Sequence, residues 1–521
     1  MNEIKHKRIV LDNSNIAESY PGITLPLNYS FIKIAYSGIF RELINASLKD
    51  DAILEKYNDV FDNMLSFYQG RVYYCINNWY SLLDFMPFSK KIIPVWQDMM
   101  GVNDKEIYYE KRHIFNFIQR LKMNLRIIKS GFSVPRDMER LNRDFVNVKD
   151  FFDKTYNENL SITELLNLFH ELKHRVLYKW YVTLSNDLYA FIWTGLLKRK
   201  LRKKNIDITK YISGIISLES MKPIKALLEI AKKYGDDADV MSKPEVREYI
   251  EVYGDRSPCE LKLEVMTYRE NPSLLEQKIR EYAGDKYKLD NMLTNLKADQ
   301  SQSMKSGFAL KRARLGIQNR EISRLNRSRI YGMVRKVFLS VGQRLYNDGY
   351  IEQPSDVFYL EINQIESGEY NSFKQTIIQR KEEYAGYEQL PAHSRLVFED
   401  GIILEYAKND SAWTGSYTGI GTSAGSVTAQ AVVLHSPDEK ADVKGKIIVT
   451  KTTDPGWVFL LTMASGIVAE KGSLLSHTAI VSRELSIPAV VAVENATAVI
   501  KTGDVIKIDG ETGRIEIVQA D

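Results

Sequence analysis

KGSLLSHTAIVSRELSIPAVV, residues 471–491, is the stretch from which the rest of the chain can be read. It follows GIVAE (466–470), a short apolar run that reads as a buried strand, and Gly472 breaks that run. Ser476 is of the type that caps helices, and Ile480, Val481 and Leu485 follow at helical spacing. A helix over 477–485 is therefore predicted, with Ser476 as its N-cap and His477 at its first position. A helix start presents unpaired N–H groups and the positive end of a dipole, which together stabilise an anion. A histidine there is suited to carrying a phosphoryl group. Its neutral imidazole can attack phosphorus, and the charged product is held by backbone dipoles and by the hydroxyls of Ser476 and Thr478. A lone Ser-His pair is equally what an ordinary exposed helix start looks like, so the surroundings must decide.

Outward from this stretch the texture is strand-like. VTAQAVVLH (427–435), GKIIVTKTT (445–453), PAVVAV (488–493) and DVIKIDGETGRIEIV (504–518) are short, rich in Val and Ile, and bounded by turn residues. DGETG (509–513) reads as a hairpin connection. Residues 427–521 are thus expected to form a compact α/β (β/β/α) module. KNDSAWTGSYTGIGTSAGS (408–426) has the composition of a flexible linker and is the expected hinge. Residues 1–407 have apolar positions at three- and four-residue spacing, as in 162–198 and 329–349, and read as a mainly α-helical body. Gly349 would suit a helix C-cap.

Bulk composition narrows the class. A chain of 521 residues is too long for one core, so a multidomain protein is expected. A net charge of +4 over this length gives no reason to expect nucleic acid. The two cysteines, Cys75 and Cys259, have no metal or redox spacing, which fits a reducing cytoplasm. No signal peptide or membrane span is expected.

Residues 423–434 (SAGSVTAQAVVL), 452–461 (TTDPGWVFLL), 472–491 and 509–515 (DGETGRI) resemble, in order and spacing, the mobile phosphohistidine domain of the phosphoenolpyruvate-utilising enzymes. The resemblance implies that this is a swivelling domain and that His477 is the phosphoryl carrier. It further implies that Gly472, Ser476, Arg483 and Glu484 frame the histidine, while Thr453, Asp454 and Pro455 form a structural turn close to it. The family usually has a second glycine where this chain has Ser473. Weaker similarity to rifampicin phosphotransferase-like proteins runs through SNIAESYPGITLPLNYSF (14–31), GRVYY (70–74), NWYSLL (78–83), YGDRSPCELKL (253–263), RLGIQNREISRLNRSRIYG (314–332) and DVFYLEINQI (356–365).

By that resemblance the chain looks like the acceptor and carrier parts of a dikinase-type phosphotransferase lacking its ATP-binding part. The expected partner is an ATP-grasp protein of the pyruvate- and phosphoenolpyruvate-binding type. It would bind ATP and Mg2+, donate the β-phosphoryl group to His477, and leave the acceptor, a small molecule, to the helical region. The alternative is a regulatory or scaffold protein whose interface responds to phosphorylation of His477.

Four residues of the helical region are candidates for holding the acceptor or its phosphate. Glu18 lies in a stiff, proline-rich stretch, and Arg256 and Arg320 are capable of forked hydrogen bonds. Glu321 could be a base or the partner that orients an arginine. Arg312, Arg314, Arg320, Arg324, Arg327 and Arg329 fit the solvated face of a long helix equally well. KRKLRKK (198–204) reads as a helix end. His170 and His174 are one helical turn apart but lack further ligands, so no metal site is expected.

Overall fold

Short apolar runs find partners at both ends of the first unit. The computed structural model describes residues 8–519 apart from 14–15, 84, 86–112, 203–207, 213–221, 258, 260, 285, 287–288, 291–292, 295–306, 392, 400–401, 406–415, 436, 438, 440, 454–456, 473 and 475. The chain divides into two units, one of residues 1–185, 262–264 and 333–409, the other of residues 186–261, 265–332 and 410–521.

In the first unit β1 (Ile9–Asp12), β2 (Leu65–Tyr68), β3 (Arg71–Cys75), β4 (Arg395–Glu399) and β5 (Ile402–Glu405) make an antiparallel sheet in the order β2-β3-β1-β4-β5. β1 pairs Val10 with Val397 and Leu11 with Cys75, drawing together segments nearly four hundred residues apart. The helical texture of the sequence conceals this sheet. Its strands are four or five residues long, and β3 is buried throughout, so it shows no alternation to distinguish it from a buried helical segment.

Helices form the rest of this unit. Pro26–Leu48 opens with proline, where the missing N–H costs nothing. Phe117–Thr155 opens with a reciprocal cap: Gln119 N donates to the Asn116 side chain at 2.9 Å and Asn116 N to the Gln119 side chain at 3.0 Å. The helix predicted over 162–198 is broken into Ile162–Leu172, a π-helical turn at Lys173–Leu177, a 3-10 turn at Tyr178–Trp180, and Tyr181–Arg202. Phe308–Asn347 supplies residues to both units, and Gly349 (φ +78°) caps it as predicted, with Tyr350 N donating to Leu345 O at 2.8 Å.

The second unit carries an eight-stranded sheet in the order β6-β13-β12-β8-β9-β10-β11-β7. Its strands are β6 (Ser416–Thr418), β7 (Ile420–Ser423), β8 (Ser426–Leu434), β9 (Ile447–Thr450), β10 (Gly466–Ala469), β11 (Ala489–Val491), β12 (Val505–Asp509) and β13 (Arg514–Gln519). β8 to β11 run parallel, and β9 and β10 are buried along their whole length, as expected for parallel strands covered on both faces. Ile447 and Val449 point into one core and Ile448 into the other. DGETG turns β12 into β13, with Asp509 opposite Arg514.

The expected linker is corrected here. Residues 408–415 lie outside the described residues, but 416–426 are part of the sheet: β6 pairs with β13 and β7 with β11. Glycine in this stretch serves close backbone approach and not flexibility. A Cβ on Gly421 would come within 2.6 Å of the Gly510 carbonyl oxygen.

The chain does divide close to residue 407, between Asn409 and Asp410, but residues 186–261 and 265–332 of the expected helical body group with the C-terminal part. Leu228, Ile279 and Tyr282 of the helical region share one apolar core with Ile467, Leu461 and Val481 of the C-terminal domain. The Thr462 hydroxyl donates to the Tyr282 hydroxyl at 3.0 Å across that core. Among the described residues no helix is long and apolar enough to cross a membrane.

Candidate active site around His477

β10 delivers the chain to Glu470, whose carboxylate accepts from Thr497 N at 2.9 Å and so fixes the exit of the strand. Gly472 then turns the chain at φ +140°, where a Cβ would lie 3.0 Å from both Ser476 Oγ and Val491 Cβ. Only glycine meets both conditions. Ser473, the departure from the family pattern, lies outside the described residues. Ser476 is in extended conformation and its Oγ accepts from Ala479 N at 3.4 Å, capping the helix His477–Glu484. Arg483, in the last turn, reaches back to donate from Nη2 to the Leu474 carbonyl at 2.8 Å. The helix thus holds its own preceding loop. Glu484 ends the helix and is half-buried.

His477 is 1% exposed. Its Nδ1 lies 3.4 Å from Thr453 Oγ1, which is 2.8 Å from Thr478 Oγ1. A consistent arrangement has Nδ1–H donate to Thr453 and the Thr453 hydroxyl donate to Thr478. Nε2 then keeps a free lone pair, and it is buried without a hydrogen-bond partner. Burial first, then the charges of Arg324 and Arg256, hold the imidazole pKa well below its ordinary 6.5. Arg324 in turn lies 3.7 Å from the carboxylate of Glu321, which is fully buried. Neither Glu321 oxygen nor Arg324 Nη1 has a hydrogen-bond partner.

Residues 442–513 match the family described as PEP-utilising enzyme, mobile domain. Over those residues the chain is similar to that domain. Rifampicin phosphotransferase of Bacillus subtilis is 27% identical over 430 residues, covering 77% of this chain and 48% of that protein. Its counterpart in Bacillus cereus is 34% identical over 197 residues, covering 36% and 23%. A probable phosphoenolpyruvate synthase of Staphylothermus marinus is 49% identical over 79 residues, covering 15% and 10%. The chain therefore spans less than half the length of each of these relatives.

The four residues suspected in the helical region do not all meet at the mobile domain. Arg256 acts on His477, and Glu321 lies beside Arg324, which does likewise. Arg320 instead pairs with Asp187 at 2.9 Å. Glu18 ends the short turn Ile16–Glu18 in the first unit, and its side chain lies outside the described part. The arginines of Phe308–Asn347 are no solvated face: Arg314 donates to Tyr211 O at 2.8 Å and Arg312 to the Tyr189 hydroxyl at 3.2 Å. Arg324 was one cation among six in the sequence, and nothing there singled it out. Asp454 and Pro455 lie outside the described residues, and His170 faces Glu366 at 3.3 Å.

The depressed imidazole has a consequence for stability. In the unfolded chain the histidine titrates near pH 6.5, so below that pH the unfolded state binds a proton that the folded state refuses. Stability conferred by a neutral His477 is thus complete above about pH 6.5 and falls as the pH drops through it. At pH 5.5 the loss should reach about 1.4 kcal/mol. Urea midpoints at pH 7.5 and 5.5 should differ more for the natural protein than for His477→Gln. Equal differences would show that the histidine is not held neutral by the fold.

Proposed function

We propose that His477 is a phosphoryl carrier, taking the group from a donor and passing it to a small molecule held by Arg256, Arg324 and Glu321. One observation carries this reading: His477 Nε2, Arg324 Nη1 and both Glu321 oxygens are buried and lack hydrogen-bond partners. Buried polar groups are ordinarily hydrogen-bonded, and an open nucleophile together with a cation and a carboxylate that face each other at 3.7 Å without a hydrogen bond suits a phosphoryl group meeting a hydroxyl.

In uptake, the Nε2 lone pair attacks phosphorus and the P–O bond to the donor breaks, its electron pair leaving with the donor oxygen. Nδ1 keeps its proton, held toward Thr453. In delivery, the acceptor oxygen attacks, the P–N bond breaks and its pair returns to Nε2. Glu321 takes the acceptor's proton, while Arg324 and Arg256 balance charge on the transferring oxygens. At 1% exposure His477 cannot meet a donor where it stands, so in this reading the mobile domain leaves the helical region to be loaded. β6 and β7 travel with it, being strands of its sheet.

The resemblance to dikinase-type enzymes favours the β-phosphoryl of ATP as the source, on an ATP-grasp partner that also binds Mg2+. With such a protein supplied, label from β-32P ATP should appear on the chain and label from γ-32P ATP as free phosphate. Attack at the β-phosphorus expels AMP and leaves the γ-phosphoryl on the histidine until water releases it, so γ label that stays on the chain after free phosphate has formed would overturn the dikinase source.

A further inference from the structure

The first unit holds a cleft of about 370 Å³ that the phosphoryl-transfer reading does not use. This is the size of a small-molecule site. Tyr29 and Phe67 stack along it with ring centroids 4.2 Å apart, and Tyr384 and Tyr387 meet edge to face at 5.3 Å. Its rim is preformed. Gln69 (φ +47°) and Gly70 (φ +70°) make the two-residue turn between β2 and β3, a geometry that fixes the hairpin.

The charges of the cleft have one sign to spare. Arg380 is held by three hydrogen bonds: Nη1 donates to Tyr359 O at 2.6 Å and to Gln364 Oε1 at 2.8 Å, and Nη2 to Glu361 Oε1 at 3.2 Å. Its charge is balanced by Glu361. Glu383 accepts from the Tyr387 hydroxyl and, among the described residues, forms no ion pair. Burial and the carboxylates raise the phenols of Tyr29 and Tyr387 to about 12, so both rings stay neutral with electron-rich faces. Aromatic faces grouped with a carboxylate attract a weakly hydrated cation.

We propose that this cleft binds a small organic cation through an alkylated ammonium group, held against the aromatic lining of Tyr29, Phe67, Tyr384 and Tyr387 and neutralised by Glu383. The site is independent of His477.

The test titrates the full chain with choline and with 3,3-dimethylbutan-1-ol, its uncharged isostere, by ligand-observed NMR. Choline should bind saturably, with the neutral isostere weaker by about tenfold or more. Tyr387→Phe, which keeps the ring, should retain choline within about threefold, whereas Tyr387→Leu and Glu383→Gln should each weaken it by about fivefold or more. Unchanged thermal melting of the variants separates lost binding from lost folding. Equal binding of the two ligands would overturn the proposal in favour of a merely apolar cleft. So would failure of choline to saturate, or indifference of binding to Tyr387→Leu and Glu383→Gln.

Discussion

His477→Ala is expected to abolish phosphoryl uptake, leaving no acid-labile, alkali-stable phosphate on the chain when a donor protein and ATP are supplied. The size of this effect follows from the site. In the proposed reaction Nε2 is the nucleophile, and neither Thr453 nor Thr478 can replace it, since their hydroxyls are bonded to each other at 2.8 Å and lack an adjacent base apart from the removed imidazole. The substitution removes the unpartnered Nε2 but also the Nδ1 contact to Thr453 and leaves a cavity, so thermal melting of the variant is measured beside the labelling. Donor-dependent labelling measured with matched protein checks the outcome. Undiminished labelling would mean that the phosphate resides elsewhere.

Arg324→Ala should separate the two halves of the reaction. Arg324 belongs to the helical region, so loading of His477 by the donor should change little, within about threefold. Discharge to the acceptor should slow by about 10²–10³-fold, the usual cost of removing one preorganised charge from a transferring phosphoryl group. The buried Glu321 is then left without its counter-charge, so the variant should also be less stable. Glu321→Gln distinguishes the explanations. It removes the orphaned charge, and discharge should stay slow because the proton acceptor is gone. Single-turnover chase of the phosphorylated chain measures discharge directly. Equal slowing of loading and discharge would place Arg324 outside the acceptor side.

The sequence was most readable where strand and helix signals are local. Ser476, Ile480, Val481 and Leu485 announce the cap and the buried face of the histidine helix, and Asp509 to Gly513 announce the last hairpin. Gly472 stood out as a break after a buried strand, and its φ of +140° gives the reason. Long-range pairing was not readable. β1 contains only Ile9–Asp12, and its partners begin more than fifty residues away on one side and nearly four hundred on the other. The stretch 416–426 misled because glycine, serine and threonine suit both a linker and strands at very close approach. The charged surroundings of His477 were legible only in part. Arg256 and Glu321 were singled out, but the distinction between Arg324, which acts on the histidine, and Arg320, which pairs with Asp187, depends on helix rotation and packing.

The central claim is that His477 carries phosphate on Nε2, the nitrogen left open by the Nδ1–Thr453 contact. Phosphorus–nitrogen correlation NMR of the chain labelled with 15N-histidine, recorded at alkaline pH after loading by a donor protein, reads the attachment directly. The account predicts a single phosphohistidine, at position 477, with phosphorus coupled to Nε2. Phosphorus coupled to Nδ1 of that residue, or to another histidine, would contradict it.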